Sequence, residues 1–158
     1  MKNIHISEMR VFNRYYTSVI GILNKNFLNS KFTLPEIRVL QAMRFQEGIT
    51  ASEIIALLNI DKSYLSRIIL RLEKKKLVSK KVSPQDGRSS RLYLTGEGKR
   101  EFEIVDAATH NQVKQILSQL SEKDCKKLIA CMAQIKKILS KPALSKKKHD
   151  KEIMGYDS

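Results

Sequence analysis

A mainly α-helical fold carrying one small β-hairpin is what the sequence predicts, and three observations predict it. Apolar residues recur at helical spacing along most of the chain. Ser or Thr stands three residues ahead of an acidic residue at several points that read as helix starts. Two short β-rich runs flank a single Ser-Pro-Gln-Asp-Gly segment. The 158 residues suffice for one domain, or for one small domain with accessory helices.

The first helix is expected from about Ser7 to Asn29, where Met9, Phe12, Tyr15, Tyr16, Val19, Ile20, Leu23 and Phe27 form a stripe that Ile4, Val11 and Ile22 widen. That arc covers about half the circumference, more than the ~100° needed to pack on the chain's own core, so a second subunit is a candidate for the remainder. Thr33-Leu-Pro-Glu36 and Thr50-Ala-Ser-Glu53 are capping boxes. They open helices over about Leu34–Phe45 and Ala51–Leu58, with Glu47-Gly-Ile as the break between them. Asn59-Ile-Asp61 makes a turn in which Asp61 caps the next helix, Lys62 to Lys75.

Val78–Val82 and Arg91–Leu94 have the alternation and β-branched content of strands, and the turn residues between them complete a hairpin. Thr95 then caps a helix to about Ser118, with Phe102, Val105, Val113, Ile116, Leu117 and Leu120 as its apolar positions. A weaker box, Ser121-Glu-Lys-Asp124, opens a last helix over Glu122–Leu139, whose stripe contains Leu128, Ile129, Met132, Ile135 and Leu139 and which Pro142 stops. Residues 141–158 are Lys-rich and weakly apolar and are expected to be a disordered basic tail.

Two short helices, a turn, a longer helix and a basic hairpin make a winged helix-turn-helix. Thirty Lys and Arg against sixteen Asp and Glu give a formal charge of +14, which favours polyanionic partners. Half of that excess lies between Asp61 and Arg91, where ten basic residues oppose Asp61, Glu73 and Asp86 for a net of +7. Wound as a helix, the same stretch puts Leu65, Ile68, Ile69 and Leu72 on one side and Ser63, Ser66, Arg67, Arg71 and Lys74 on the other. One face can anchor in a core while the other meets a nucleic acid, with double-stranded DNA as the expected partner.

Arg67 and Arg71 are the candidate base readers, because arginine can donate two parallel hydrogen bonds to guanine O6 and N7. Ser63, Tyr64 and Ser66 suit base edges or phosphates, and Lys62 and Lys74 suit phosphates. Leu70 lies near the same face, either against a thymine methyl or simply exposed. Arg88, at the hairpin tip after Asp86-Gly87, is placed to enter the adjacent minor groove, and Arg91 adds to the basic hairpin. Asp86 is an odd neighbour for DNA unless it fixes an arginine side chain. For Arg67 and Arg71 the competing reading is an ordinary solvated helix face, against which Ser63, the wing and the clustered charge decide; for Lys74 to Lys76, Lys80 and Lys81 solubilising charge stays an open alternative to phosphate contact.

Other chemistries find no support. Cys125 and Cys131, six apart, do not share a helix face, which points to buried structural thiols rather than a disulfide. His5, His110 and His149 have no metal-ligand spacing, and Thr95-Gly-Glu-Gly lacks the Lys-Ser/Thr context of a phosphate loop. No catalytic residue, metal or cofactor is expected, so the chain is not read as an enzyme. Charged residues from Lys2 onward interrupt any leader, and no uncharged run would cross a bilayer; the expectation is a cytoplasmic protein with no membrane partner.

Three segments together resemble the MarR family of bacterial transcriptional regulators. They are Asp-x-Ser-x-x-Ser-Arg-Ile-Ile-x-x-Leu-Glu over Asp61–Glu73, Ser-Pro-Gln-Asp-Gly-Arg over Ser83–Arg88, and Leu-Thr-Gly-Glu-Gly-Lys over Leu94–Lys99. The likeness covers about Ile4 to Leu139 and includes the helix order. It implies a homodimer with intertwined terminal helices (residues 1–30 and 100–140), and a winged helix-turn-helix DNA-binding domain at 31–99. The two lobes would then sit on a pseudo-palindromic operator. It further implies that Asp86 and Arg88 match the family's wing aspartate and arginine, and that a small aromatic or phenolic anion releases the DNA.

Arg14, Tyr15 and Tyr16 are the candidate ligand-pocket residues, with dimer core as their stronger reading. Met9–Tyr16, Leu23-Asn24 and Phe32–Leu40 also resemble the DNA-binding half of proteins that fuse a MarR domain to an acetyltransferase. The chain ends at Ser158, which leaves no room for the acetyltransferase, so its activity is not expected here. The expected function is a sequence-specific repressor relieved by a ligand; the alternative is a non-specific nucleic-acid-binding or protein-interaction winged helix.

Overall fold

A computed structural model describes residues 3–20, 30–82 and 90–140. In chain order the elements are α1 (Asn3–Val19), α2 (Leu34–Phe45), β1 (Ile49–Thr50), α3 (Ala51–Leu58), α4 (Lys62–Lys74), β2 (Val78–Val82), β3 (Ser90–Leu94), α5 (Gly96–Ser118) and α6 (Glu122–Leu139). The mainly helical fold with its small antiparallel sheet is the class that the sequence predicts. The terminal tail at 141–158 and the wing tip at 83–89, with Asp86 and Arg88, lie outside the described residues.

Helix starts are set by the caps read from the sequence. The Thr50 N–H and Oγ1 each donate to Glu53 Oε2 at 2.7 Å, and the Glu53 N–H returns to Thr50 Oγ1 at 3.3 Å. Those exchanges satisfy donors that the first turn of a helix otherwise leaves open. Thr95 Oγ1 accepts from the Gly98 N–H at 3.0 Å to start α5, and Ser121 Oγ accepts from the Asp124 N–H at 3.1 Å to start α6.

Two elements depart from expectation. Helix α1 begins at Asn3, four residues before the Ser7 expected, and the expected continuation through residues 21–29 lies outside the described residues. Strand β1 arises inside the stretch read as a break between α2 and α3. Gly48, at φ +75°, turns the chain so that Ile49 pairs with Leu92 and Thr50 with Arg91, completing a three-stranded sheet in the order β1-β3-β2. A two-residue strand is too short to show any alternation, and its second residue doubles as the cap of α3.

The core is formed by α2, α3, α4, the sheet and the first turns of α5. Phe32, Val39, Leu40, Met43, Ile49, Ile54, Leu65, Leu72 and Leu92 are all fully buried there. Leu65, Ile68, Ile69 and Leu72 supply the buried side of α4, as its periodicity requires. Backbone packing is tightest where α5 leaves the sheet: a Cβ on Gly98 would stand 2.0 Å from the Leu77 carbonyl oxygen, so only glycine fits. The Thr95 N–H donates to that same carbonyl at 3.0 Å. Helices α1 and α6, by contrast, contain no buried residue.

Candidate nucleic-acid interface

The candidate interface is the outer face of α4 with the root of the β2-β3 wing. Asp61 fixes the start of α4, its carboxylate accepting from the Tyr64 N–H at 3.0 Å. The far end closes with a left-handed residue. Lys76, at φ +58°, lets its own N–H donate to Glu73 O at 2.8 Å and the Leu77 N–H donate to Leu72 O at 3.0 Å. That pair of bonds is a Schellman cap, built here without the usual glycine. Its effect is to end the helix sharply and send the chain directly into the wing.

Between those caps the expected division of α4 is present as geometry. Lys62, Ser63, Tyr64, Ser66, Arg67, Leu70, Arg71 and Lys74 are all exposed, opposite the four buried aliphatic residues. Leu70 leaves 58% of its surface open on that face. The Arg67 guanidinium lies 5.7 Å from the centroid of the Tyr64 ring, a cation–π approach made through its face, which leaves its N–H edges free of the ring. Lys74 is exposed on the last turn.

Arg71 is placed differently from Arg67. Its Nη1 donates at 3.0 Å to Glu36 Oε1, although the arginine side chain remains 56% exposed. Glu36 stands at the third position of α2 and is only 2% exposed, the single buried charged residue among those described. Its other oxygen accepts from the Thr33 N–H at 2.8 Å and from Thr33 Oγ1 at 3.0 Å. Burial pushes the Glu36 carboxyl up, but the Thr33 bonds, the Arg71 bond and the charge of Lys75 outweigh it and hold the pKa below its ordinary value. Lys75 reaches the same region, with Nζ 5.2 Å from the Phe32 ring centroid. Two cations at the end of α4 are thus anchored at the start of α2.

The wing root is also organised by its cations. Arg91 Nη1 donates to the Gly48 carbonyl at 3.2 Å, tying β3 to the turn before β1. Lys80 pairs with Glu73 at 3.0 Å, and Lys81 Nζ lies 5.1 Å from the Tyr93 ring centroid. Arg91 stays exposed and keeps further donors, but one edge of its fork is committed to the fold.

The candidate ligand residues sit apart from this surface, on α1. Arg14 and Tyr15 are exposed, and Tyr16 is half-buried with its ring stacked on Phe12 at 5.7 Å and 6° between planes. An open groove of about 420 Å³ is lined by His110, Val113, Lys114, Leu117 and Ser118 of α5, none of them a candidate. The contact at this surface that sequence reading missed is the one from Arg71 to Glu36, which reads only as a capping-box acid. Its signal would have been an acid buried in a helix start, and the sequence does not link it to Arg71, 35 residues away.

Comparison with known proteins agrees with this geometry. Residues 30–89 match the model of the MarR family. The HTH-type transcriptional regulator YdgJ of Bacillus subtilis (strain 168) is 25% identical over 100 residues, 63% of this chain and 61% of that protein. Against two curated relatives that it matches, the chain spans 61% and 58% of their length. Among solved structures, apo MarR from E. coli superposes with a TM-score of 0.68 at 21% identity, covering 80% of this chain and 94% of that one. BpsR of Bordetella bronchiseptica, whose DNA binding is regulated by 6-hydroxynicotinic acid, superposes with a TM-score of 0.66 at 20% identity, covering 82% and 98%. At those identities the superpositions speak to the fold. Residues 30–89 are thus similar to the MarR family, and the helix order and wing share the fold of a solved MarR structure.

Proposed function

We propose that the chain is a sequence-specific regulator of transcription that binds double-stranded DNA as a homodimer, represses, and is released by a small aromatic or phenolic anion. The observation that carries the DNA-binding part is α4. Its polar-basic face is held outward by four buried aliphatic anchors, capped at both ends, and continued by the basic wing root. A helix so presented has the size and chemistry to enter a major groove, where Arg67 meets base edges and Lys62 and Lys74 meet phosphates. Asp86 and Arg88 would complete the contact from the wing.

Homodimerisation is supported by what the terminal helices leave open. Ile4, Met9 and Phe12 of α1 and Ile129, Ile135 and Ile138 of α6 are exposed, an apolar surface that a lone soluble chain rarely presents. Pairing through these helices would set two winged lobes side by side on a pseudo-palindromic operator. Ligand release is supported by the likeness of residues 30–89 to the MarR family and by the regulation of BpsR by 6-hydroxynicotinic acid, with Arg14, Tyr15 and Tyr16 as the residues to test.

The experiment is a selection of bound fragments from genomic DNA, followed by titration of the recovered site against random duplex at fixed salt. The expected result is a site bound roughly 10³–10⁷-fold tighter than random sequence. Recovery of no preferred site would instead favour the second reading, a non-specific nucleic-acid binder. The exposed Lys74, Lys75, Lys76 and Lys80 favour that reading in their own right, since they supply charge without base selectivity.

A further inference from the structure

Arg67 and Arg71 stand one turn apart on the same face of α4, yet among the described residues only Arg71 is tied to another element of the fold. Glu36 is a carboxylate taken out of water at the start of α2, and it keeps its charge through three hydrogen bonds, two from Thr33 and one from Arg71. The Arg71 guanidinium therefore has one N–H turned inward, while more than half of its side chain remains in solvent. A base-reading arginine needs a free fork and an extended side chain to reach guanine. A guanidinium tied at one edge to a rigid helix start has instead lost that reach and gained a fixed position for its remaining donors.

We propose that Glu36 is a positioning residue for DNA binding. Its buried carboxylate holds Arg71 as a fixed phosphate contact that sets how α4 seats in the groove, leaving Arg67 as the arginine that reads a base. The proposal rests on the DNA-binding reading above and assigns within it two different jobs to two residues of the same type. It also explains why a carboxylate is kept beneath a basic surface, where its charge weakens the general attraction for DNA. The same bond joins α2 to α4, so the height of the reading helix over the core is set at the point where it touches the backbone.

The test compares wild type with Arg67→Ala, Arg71→Ala, Arg71→Lys, Glu36→Gln and the double variant Glu36→Gln/Arg71→Ala. Each is titrated with the selected site and with random duplex over a range of salt, and the thermal unfolding of each is followed. Arg71→Ala is expected to weaken both duplexes by the same factor and to reduce the salt slope by about 1, whereas Arg67→Ala relaxes preference at one base position. Glu36→Gln keeps the salt slope of wild type but lowers affinity for the site by roughly twofold or more, and adds nothing further once Arg71 is gone. Arg71→Lys retains the charge without the fork, so it keeps the salt slope and loses affinity for the site.

If Arg71→Ala relaxes preference at one base while sparing random duplex, Arg71 reads a base and the inference falls, although DNA binding stands. Independent, multiplying effects of Glu36→Gln and Arg71→Ala on the site would overturn it equally. Should Glu36→Gln fail to fold, Arg71→Lys decides: binding of both duplexes at wild-type strength shows that no fixed fork is needed. A wild type that binds no duplex at all removes the DNA-binding reading, and this inference with it.

Discussion

The winged core and the terminal helices are built from similar proportions of apolar residues but bury them very differently. In the core, α2 and α4 each hide four or more side chains against the sheet and against each other. In α1 and α6 none is buried, although both helices are amphipathic. A helix that is apolar on one face and has nothing against it is stable only when something covers that face. The core thus buries its apolar residues within one chain, and the arms leave an apolar face that the proposed homodimer would cover. Helix α5 belongs to both regions, with Phe102 and Val105 in the core and Val113 exposed beyond it.

That contrast can be broken most sharply by truncating one aliphatic residue in each region. Leu72→Ala in the core is expected to cost about 2–5 kcal/mol, read from urea unfolding, because it leaves a cavity under α4. Ile129→Asp on α6 should change the unfolding of the isolated chain by no more than ~0.5 kcal/mol. Its effect belongs to assembly, raising the dimer dissociation constant in sedimentation. Equal destabilisation by the two substitutions would mean that α6 is packed within one subunit and that the contrast is false.

Gly98→Ala tests the joint between the two regions. The added methyl meets backbone at Leu77 rather than a flexible side chain, so about 1–3 kcal/mol or more of overpacking cost is expected in the same unfolding measurement. Wild-type stability would show that α5 can shift away from β2 without loss.

Acid should act on the core before the arms. Glu36 and Glu53 are both held below the ordinary 4.5 of a glutamate, the first against its own burial by Thr33 and Arg71, the second by its bonds from Thr50. A carboxylate with a depressed folded pKa contributes stability that is present above its unfolded value and is lost as pH falls through the folded one. Stability should therefore hold from neutral pH to about 4.5 and decline below it. Glu36→Gln is expected to flatten that acid limb in pH-dependent denaturation; an unchanged limb would assign it to other groups.

The smallest effect is expected at the cap of α4. Lys76 adopts a left-handed conformation that costs a side-chain-bearing residue about 1–2 kcal/mol, part of which glycine returns as lost chain entropy. Lys76→Gly should thus stabilise the core by roughly 0.5–1 kcal/mol while removing one wing-root charge. A destabilised Lys76→Gly would show that the lysine stem packs usefully on the core.

Much of this arrangement was legible in the chain because its signals are local. Capping boxes at Thr33 and Thr50 and the cap at Asp61 marked helix starts to the residue, and the apolar period of α4 separated its anchors from its open face. What sequence could not carry was long-range or too short to have a period. Ile49 becomes a strand only because Gly48 reverses the chain and Leu92 waits opposite. The two arginines of α4 are equivalent by spacing and become different only when α2 brings Glu36 beside one of them. Likewise, Arg91 reads as a free wing cation until folding sets it on the Gly48 carbonyl.

The most direct measurement of the central claim, that the winged core reads DNA in pairs assembled by its terminal helices, is hydroxyl-radical footprinting on a selected fragment. It is to be run with wild type and with Ile129→Asp at matched concentration. Wild type should protect two half-sites with centres one helical turn apart, ~10–10.5 bp, and Ile129→Asp should need a higher concentration to protect either. Protection of a single half-site by wild type, or an unchanged two-site pattern at unchanged concentration for Ile129→Asp, would contradict the account.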